Sequence, residues 1–505
     1  MKKLLTQLAS WHALKKHAEI LPASLRPQTG KNGQQLLEID VTKKAAAGYT
    51  HCAELFKIDT DTLSLDFSRQ KLNATTMHLL ISLANECQLA TKIAALMNGE
   101  KVNKSENRAA LHTALRDLTA QSILVDGKNI IPDLLNARTK MENIACELSA
   151  GQWLGYTGRP ITSVVNIGIG GSDFGPRFCL HALNDWINPN LSYHFISDAS
   201  PTAFDKTVVH LNPETTLFII SSKSFTTVET IYNAKKALAW FGKTDFLHLH
   251  FIAVTANAAK ACEMGIRNIL PIWDFIGGRY SFCSAINLIS CIAIGPAQFR
   301  QLLAGARSMD HHFYHNELSR NMPVLLALIG LWNINFRHIP SLLILVYAKE
   351  LEQFVSYLQQ LDMESNGKSI DNYGRVINYA TGPIVWGGLG NQAQHSYFQL
   401  LSQGSHRVAI DFLTIGEFDD CLINKLFRNS MQALNSGVAI ADNNLQGNNA
   451  NTLTINHLNL NSWNPYTLGE LVALYEHKIF SQAVLWDINS FDQPGVECIK
   501  KELVF

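Results

Sequence analysis

Two turns rich in glycine and hydroxyl residues lie about fifty residues apart, and both suit an anionic ligand. The first is Gly168-Ile169-Gly170-Gly171-Ser172, followed by Gly175-Pro176. The second is Ser221-Ser222-Lys223-Ser224-Phe225-Thr226-Thr227. Each turn follows an apolar run and precedes a helical pattern. Backbone N–H groups at a helix start, together with small hydroxyl side chains, form a site for a phosphate or another anion. We therefore predict that both turns hold one phosphorylated ligand.

The glycine turn does not match the common nucleotide-binding motifs. A dinucleotide fingerprint requires glycine at the sixth position from Gly168, where the chain has Asp173. A P-loop would need lysine after Gly175, where the chain has Pro176. The turn can still bring its backbone close to an anion. A tight strand-to-helix turn without a ligand remains an alternative.

The second turn also has a structural alternative. Thr226 and Glu229 have the spacing of a capping box, so the hydroxyls could serve only the helix. Capping does not explain Ser221, Ser222, Lys223, Ser224 and Thr227 as well. Several hydroxyls and one lysine favour phosphate binding over capping.

Two further motifs supply charged groups that suit a proton-transfer reaction. Arg279 follows two glycines and precedes a helix, so it could stabilise an anion that develops during a reaction. Glu364 lies where the helical pattern of residues 351–361 ends, and a carboxylate there opposes the helix dipole and suits a general base. A solvated arginine, and solvated turn carboxylates at Asp362 and Glu364, are the alternatives.

Histidines offer one more candidate. His395 follows a strand and a glycine-rich loop, a place where catalytic histidines occur, although a lone histidine is more often structural. His311 and His315 have helical spacing, and His248 and His250 are expected on one face of a strand. Neither pair has a carboxylate at motif spacing, so we predict no metal site.

Composition restricts the class of protein. The 505 residues include 42 Lys+Arg and 42 Asp+Glu, so no net charge would recruit nucleic acid or an anionic membrane. Nine scattered cysteines without a C-x-x-C pair argue against a disulfide framework and a structural zinc. A small-molecule enzyme in a reducing cytoplasm is expected. Residues 281–299 and 323–332 are apolar, but their polar residues or short length indicate buried helices rather than membrane spans.

The chain must fold so that these motifs meet. Alternating strand and helix patterns from about 122 to 286 predict parallel βαβ units with ligands at the carboxyl ends of the strands. The expected strands are 164–169, 193–197, 216–221 and 251–255. Residues 443–464, with nine asparagines, are expected to form a surface excursion. The domain boundaries are placed near 122 and 286.

The ordered motifs together resemble the glucose-6-phosphate isomerase (phosphoglucose isomerase) family. The resemblance covers roughly residues 40 to 500 and is most specific near the C-terminus. The motifs that carry it are residues 167–172, 175–176, 222–227, 229–230, 277–281, 362–368, 394–395, 474–477, 486–493, 495–497 and Lys500.

The resemblance implies an α/β fold with two sugar-isomerase (SIS-type) domains, each a mainly parallel sheet flanked by helices. Residues 1–121 would form a helical segment packed with the large domain, 122–286 the small domain, and 287–505 the large domain. A helical C-terminal arm would embrace a second subunit in a homodimer with shared active sites.

The reaction implied is the interconversion of glucose 6-phosphate and fructose 6-phosphate, without metal or organic cofactor. By motif, Glu364 would move a proton between C2 and C1, and Arg279 would stabilise the cis-enediolate. His395 and Lys500 would assist ring opening, with His395 reaching the neighbouring subunit's site. The remaining assignments are Ser172, Ser222, Ser224, Thr227 and the backbone of Gly171 and Lys223 for the phosphate, and Gln360 and Gln493 for the sugar.

The chain departs from the family pattern at Val228, Ile499, residues 391–393 and residues 448–451, but every residue with an implied chemical role is present. Two other functions stay open: a sugar-phosphate-binding regulator, and an isomerase of another hexose phosphate such as mannose 6-phosphate or an amidated sugar. Retention of Glu364, Arg279, His395 and Lys500 argues against the regulator.

Overall fold

The computed structural model describes residues 3–21, 27–29, 35–37, 56–117, 119–416, 421–436 and 453–502. The chain forms two compact units. The first unit comprises Met1–Ile93, His311–Trp463 and Leu474–Gln493, and the second comprises Ala94–Asp310, Asn464–Ala473 and Pro494–Phe505. This partition is not the sequence-based division at 122 and 286, and that division stays a prediction.

The second unit contains a five-stranded parallel sheet. Its order is Ile269–Pro271, Phe251–Thr255, Thr216–Ser221, Ser163–Ile167 and Ser192–Ile196. The four strands expected from sequence are confirmed, although the first ends at Ile167 rather than at 169. The three central strands are buried at every position, as expected for a parallel sheet covered on both faces.

The strand register brings the two candidate turns side by side. Ile167 pairs with Ile220 in the parallel ladder, so both strands end at nearly the same level of the sheet. Apolar side chains such as Val165, Phe218 and Ala253 pack with the following helices into one core. The sheet therefore supplies a rigid base for both turns.

The first unit contains a six-stranded mixed sheet. Four parallel strands form its larger part, in the order Ile384–Leu389, Ser341–Val346, Val408–Ile415 and Leu453–Leu460. Leu63–Arg69 and Lys57–Asp59 extend it in antiparallel pairing. The described residues also contain two short antiparallel hairpins: Pro27–Thr29 with Gln35–Leu37 in the first unit, and Leu124–Val125 with Lys128–Asn129 in the second.

Helices flank these sheets. The α-helices are Ala9–Ile20, Ala74–Glu86, Leu89–Met97, Ile131–Ser149, Phe174–Ala182, Pro201–Val208, Val228–Phe241, Leu247–His250, Ala258–Glu263, Leu288–His315, Met322–Leu331, Phe354–Leu358, Gly390–Ala393, Phe398–Gln403, Leu422–Ser436, Pro465–Leu485 and Pro494–Glu502.

The apolar segments considered as membrane spans are core helices. Met322–Leu331 is almost wholly buried, and Leu288–His315 is interrupted at Gly295, whose φ is 79°. In the part of the chain that the structure describes, no single helix is long and apolar enough to cross a membrane. The bent pair Ala74–Glu86 and Leu89–Met97 reaches that length and hydropathy only when taken together.

The expected surface excursion at 443–464 is wrong for its second half. Residues 443–452 lie outside the described residues, but Leu453–Leu460 is a strand buried at every position. Its asparagines are tolerated because they have partners: Asn456 donates to Asp411 Oδ1 at 2.8 Å, and Asn459 Oδ1 accepts from the Thr414 hydroxyl at 2.7 Å. Hydrogen bonding across the sheet thus overrides the turn preference of asparagine.

Candidate active site

Gly171 brings the glycine turn against the arginine turn within the second unit. The strand Ser163–Ile167 ends, Gly170–Ser172 forms a short 3₁₀ turn, and the helix Phe174–Ala182 follows. A Cβ atom on Gly171 would lie 2.1 Å from the carbonyl oxygen of Gly278. Only glycine permits this approach. The contact explains why a glycine stands at position 171.

Asn166 joins the glycine turn to the hydroxyl turn, and the sequence analysis missed it. The buried Ser221 hydroxyl donates to Asn166 Oδ1 at 3.0 Å, and Asn166 Nδ2 donates to the Ser172 carbonyl at 3.0 Å. The signal was an amide residue inside an otherwise apolar strand. Such a residue needs partners when buried. Here its partners belong to the two turns.

The hydroxyl turn is not built as a helix cap. The helix Val228–Phe241 begins after Thr227, and in this described segment the Thr227 side chain makes no capping hydrogen bond. Thr226 instead donates its hydroxyl to Ser224 Oγ at 2.7 Å. The capping-box alternative is therefore wrong. The hydroxyls form a cluster at the helix start, where anions bind favourably.

Phe225 fixes the shape of this cluster. Its backbone has a φ of 53°, which is unusual for a non-glycine residue, and its ring is buried. Its N–H donates to Ser222 Oγ at 3.1 Å, and Ser222 Oγ lies 3.3 Å from Thr227 Oγ1. The buried ring and these bonds hold the hydroxyls of Ser222 and Thr227 together.

Lys223 turns its ammonium toward the loop that leads to Arg279. Its Nζ donates to the carbonyls of Asp274 and Ile276, both at 2.9 Å. Burial lowers the pKa of the Lys223 ammonium, while the Asp274 carboxylate at 3.9 Å acts in the opposite direction. The side chain thus connects the hydroxyl turn with the arginine loop. Only the Lys223 backbone was assigned to the phosphate, and that assignment stays a prediction.

Arg279 is buried, with 4% of its surface exposed, so the interpretation as a solvated arginine is wrong. It lies in the 3₁₀ turn Gly278–Tyr280, with its guanidinium carbon 5.8 Å from the centroid of the Tyr280 ring. A buried guanidinium keeps its charge and is held in one orientation. This is the form in which a cation can stabilise a developing oxyanion.

Glu364 lies in a π-helical turn of the first unit. The helix Phe354–Leu358 widens into the π-helix Gln359–Glu364, and Gln360 Nε2 donates to Glu364 Oε2 at 3.2 Å. Two predicted site residues, one for the base and one for the sugar, are therefore neighbours. Wide turns of this kind often occur at functional sites. Sequence periodicity predicted a helix that ends nearby but gave no sign of the wider turn.

The neighbours of Glu364 are fixed by lysines. Asp362 is fully buried against Lys478, so it is not a solvated turn residue. On the other side, Lys368 Nζ donates to the carbonyls of Ser365 at 2.9 Å and Asn489 at 2.6 Å. Glu364 itself is partly exposed. A reachable carboxylate on a fixed segment suits proton transfer.

Three more of the predicted site residues belong to other elements of the fold. His395 is exposed just after the short helix Gly390–Ala393, and its N–H bonds the Gln392 carbonyl at 3.0 Å. Gln493 is partly buried at the end of the first unit. The backbone of Lys500 lies in the helix Pro494–Glu502 of the second unit. Their roles stay predictions.

The histidine pairs considered for a metal have other surroundings. Leu247–His250 is a helical turn, so the expected strand face for His248 and His250 is wrong. His250 Nε2 accepts from the Tyr156 N–H at 3.0 Å. The rings of His311 and His315 stack with centroids 4.1 Å apart. Among the described residues, no group of three His, Cys, Asp or Glu side chains could hold a metal ion.

Comparisons with known proteins agree on one family. The model of the phosphoglucose isomerase family matches residues 66–504. A glucose-6-phosphate isomerase of Legionella pneumophila (strain Lens) is 52% identical over 98% of this chain and 96% of its own length. One from Shewanella baltica (strain OS223) is 41% identical, with 98% and 93% covered. The crystal structure of a glucose-6-phosphate isomerase from Chlamydia trachomatis superposes with a TM-score of 0.86 at 27% identity, covering 99% of this chain and 95% of that one.

Proposed function

The chain belongs to the phosphoglucose isomerase family, and from this we propose that it interconverts glucose 6-phosphate and fructose 6-phosphate. This aldose–ketose isomerisation belongs to glycolysis and gluconeogenesis. The geometric observation that supports it best is the packing of Gly171 on Gly278, which brings the glycine turn against the turn of the buried Arg279 within one unit.

The substrate phosphate would be held by the hydroxyls of Ser172, Ser222, Ser224 and Thr227 and by backbone N–H groups at Gly171 and Lys223. A helix start with several hydroxyl donors favours a dianionic group, and each charged hydrogen bond contributes roughly 1.5–3 kcal/mol. The phosphate does not change during the reaction. These contacts would therefore orient C1 and C2 of the sugar toward the groups that react with them.

Glu364 would carry the proton. Its carboxylate would take the proton from C2 of the open-chain aldose while electrons move toward O1, giving a cis-enediolate. A proton then moves from the C2 hydroxyl to O1, and return of the first proton to C1 with a carbonyl formed at C2 completes the ketose. Arg279 would stabilise the negative oxygen of the intermediate, and Gln360 and Gln493 would orient the sugar hydroxyls.

The cyclic substrate must open before the base can act. Lys500 and His395 would serve the ring oxygen and the O1 hydroxyl as acid and base, which ring opening requires. The proposed reaction needs no metal or organic cofactor, because carboxylate and guanidinium supply the base and the positive charge. We also propose a cytoplasmic enzyme, in keeping with its scattered cysteines.

The assay that tests this function mixes purified protein with glucose 6-phosphate and follows fructose 6-phosphate. We expect rapid equilibration in both directions, with inorganic phosphate as a competitive inhibitor. Mannose 6-phosphate and an amino-sugar phosphate serve as parallel substrates. Preferential turnover of one of these would reassign the substrate, and binding of glucose 6-phosphate without turnover would indicate the regulator.

We further propose a homodimer in which His395 serves the partner's site and Glu364 its own. Refolding a mixture of Glu364→Gln and His395→Ala chains should then produce one intact site in each mixed dimer. With random pairing, roughly a quarter of wild-type activity returns. Recovery of no activity, with mixed dimers verified by mass, would show that both residues come from the same chain.

A further inference from the structure

A buried ion pair lies two residues before the proposed base. Lys478 Nζ is 2.6 Å from Asp362 Oδ2, and the exposed fractions of the two side chains are 4% and 0%. Asp362 belongs to the π-helix Gln359–Glu364, whereas Lys478 comes from the helix Pro465–Leu485, 116 residues away in the chain. A buried charge that loses its partner is strongly unfavourable, so the pair fixes where this turn lies.

A second contact joins the same two segments. Asn366 Nδ2 lies 3.5 Å from Asp362 Oδ1 and 3.2 Å from the carbonyl of Ile479, the residue after Lys478. Beyond Glu364, Lys368 Nζ forms an ion pair with Asp492 at 3.0 Å. We call residues 359–368, which contain the proposed base, the base segment. It is held before and after Glu364 by groups from distant parts of the chain.

Asp362 cannot itself exchange protons with a ligand, since it is fully buried and bonded to an ammonium. Its effect must pass through the backbone turn that it shares with Gln360 and Glu364. A displacement of about 1 Å at a reacting group can cost roughly 10²-fold in rate. We propose that Asp362 and Lys478 are positioning residues for Glu364. This inference rests on the proposed function.

The test separates positioning from stability by removing both charges at once. Asp362→Asn alone leaves the Lys478 charge buried without its partner and should lower the melting temperature clearly. The double variant Asp362→Asn/Lys478→Met leaves neither member of the pair charged, so its melting temperature should rise above that of Asp362→Asn, less the cost of removing the Lys478 charge from the buried Asp411 carboxylate. Lys478 borders a cavity of about 30 Å³ shared with Asp411 and Asn456, so methionine has room to adjust.

Positioning predicts that this double variant stays slow although it is stable. We expect kcat to fall at least about tenfold while KM changes by less than about threefold, because the phosphate contacts are unaltered. A double variant with both wild-type stability and a kcat within about twofold of the wild type would show a purely structural ion pair and overturn the proposal.

Asp362→Glu is the second variant, for use if the double variant folds poorly. It keeps the charge pair but lengthens the side chain by one methylene, so the turn must shift while the burial of charge is preserved. We expect a stable protein with kcat reduced about tenfold. A kcat within about twofold of the wild type would also overturn the proposal.

Asp371→Asn/Arg375→Met is the matched control. It removes another ion pair of the first unit, with Nε and Oδ2 2.6 Å apart, and the asparagine can still accept the N–H groups of Tyr373 and Arg375. Its kcat should stay within about twofold of the wild type. Glu364→Gln distinguishes failure of the base assignment from failure of the positioning role. Full activity of Glu364→Gln would reject Glu364 as the base. An inactive Glu364→Gln together with a fully active Asp362→Asn/Lys478→Met variant would reject only the positioning role.

Discussion

The phosphate turns and the base segment are built in different ways. In the second unit, the turns follow neighbouring parallel strands and are joined by Asn166 and Lys223, whose partners lie 6 to 55 residues away. In the first unit, Glu364 lies between lysine contacts that span 116 and 124 residues. This comparison shows that consecutive βαβ units can form a binding surface for a phosphate that does not change during the reaction. A proton-transfer group here depends on segments that are distant in sequence.

The two regions should also fail in different ways. Changes in the base segment should lower kcat, because the base acts only in the reaction. Loss of a hydroxyl in the phosphate turns should raise KM, because the phosphate is bound equally in ground and transition state. The following variants test this contrast, beginning with the largest expected effect.

Glu364→Gln should show the largest loss. The amide keeps the shape and the contact with Gln360 but cannot accept the proton, so kcat should fall on the order of 10²-fold or more. Binding of sugar phosphate, measured by calorimetry, should be retained. Exchange of the C2 proton with solvent gives an independent measure, and near-normal exchange would assign the base to another residue.

Thr227→Ala and Ser224→Ala should each raise KM roughly tenfold with a smaller change in kcat, for one lost charged hydrogen bond. Stability should change little for Thr227→Ala, because its side chain does not cap the following helix. Asn257→Ala is the matched control, since Asn257 does cap its helix by accepting from the Lys260 N–H at 3.3 Å. That control should lose stability and keep its KM. A Thr227→Ala variant that loses stability and keeps its KM would show that the hydroxyl turn has a structural role.

Lys223→Met should lower kcat about threefold to tenfold, less than the roughly 10²-fold cost of a full 1 Å displacement of a reacting group. The reason is that its ammonium holds the Asp274 and Ile276 carbonyls just before Arg279. Inhibition by inorganic phosphate should weaken by less than about twofold. If inhibition by phosphate weakens tenfold instead, the Lys223 ammonium binds the phosphate directly and does not act through the loop before Arg279.

Val228→Gln should show the smallest effect, within about twofold in kcat and KM. It restores the residue usual in the family at a position where the side chain is 59% exposed. Steady-state kinetics beside the wild type suffices for this measurement. A larger change would mean that the rim of the hydroxyl turn contributes to substrate binding.

Local patterns carried much of the prediction. Four of the five strands of the parallel sheet in the second unit could be predicted from apolar runs, because a buried parallel strand needs apolar residues on both faces. The positions of the glycine and hydroxyl turns followed from those strands. The family motifs assigned Gln360 to the sugar and Glu364 to the base, and the contact between these two side chains is consistent with both assignments. The roles of His395, Gln493 and Lys500 remain predictions.

Other features had no local signal. The excursion expected at 443–464 is wrong at 453–460, because the asparagine content favours turns whereas partners on the adjacent strand satisfy the amides. The π-helical turn at 359–364 has the same apolar spacing as an ordinary helix end. The wide turn is accompanied by contacts with residues more than one hundred positions away, which a short stretch of sequence does not include.

The sequence by itself determined the family and the type of reaction, because these depend on short motifs whose chemistry is fixed by side chain and spacing, and it predicted the residues of the site. Tertiary structure alone decided that Gly171 packs on Gly278, that Arg279 is buried, and that Asp362 pairs with Lys478. These features arise from contacts between segments far apart in the chain. Their energies depend on burial and on a partner being present, and neither property can be read from one segment.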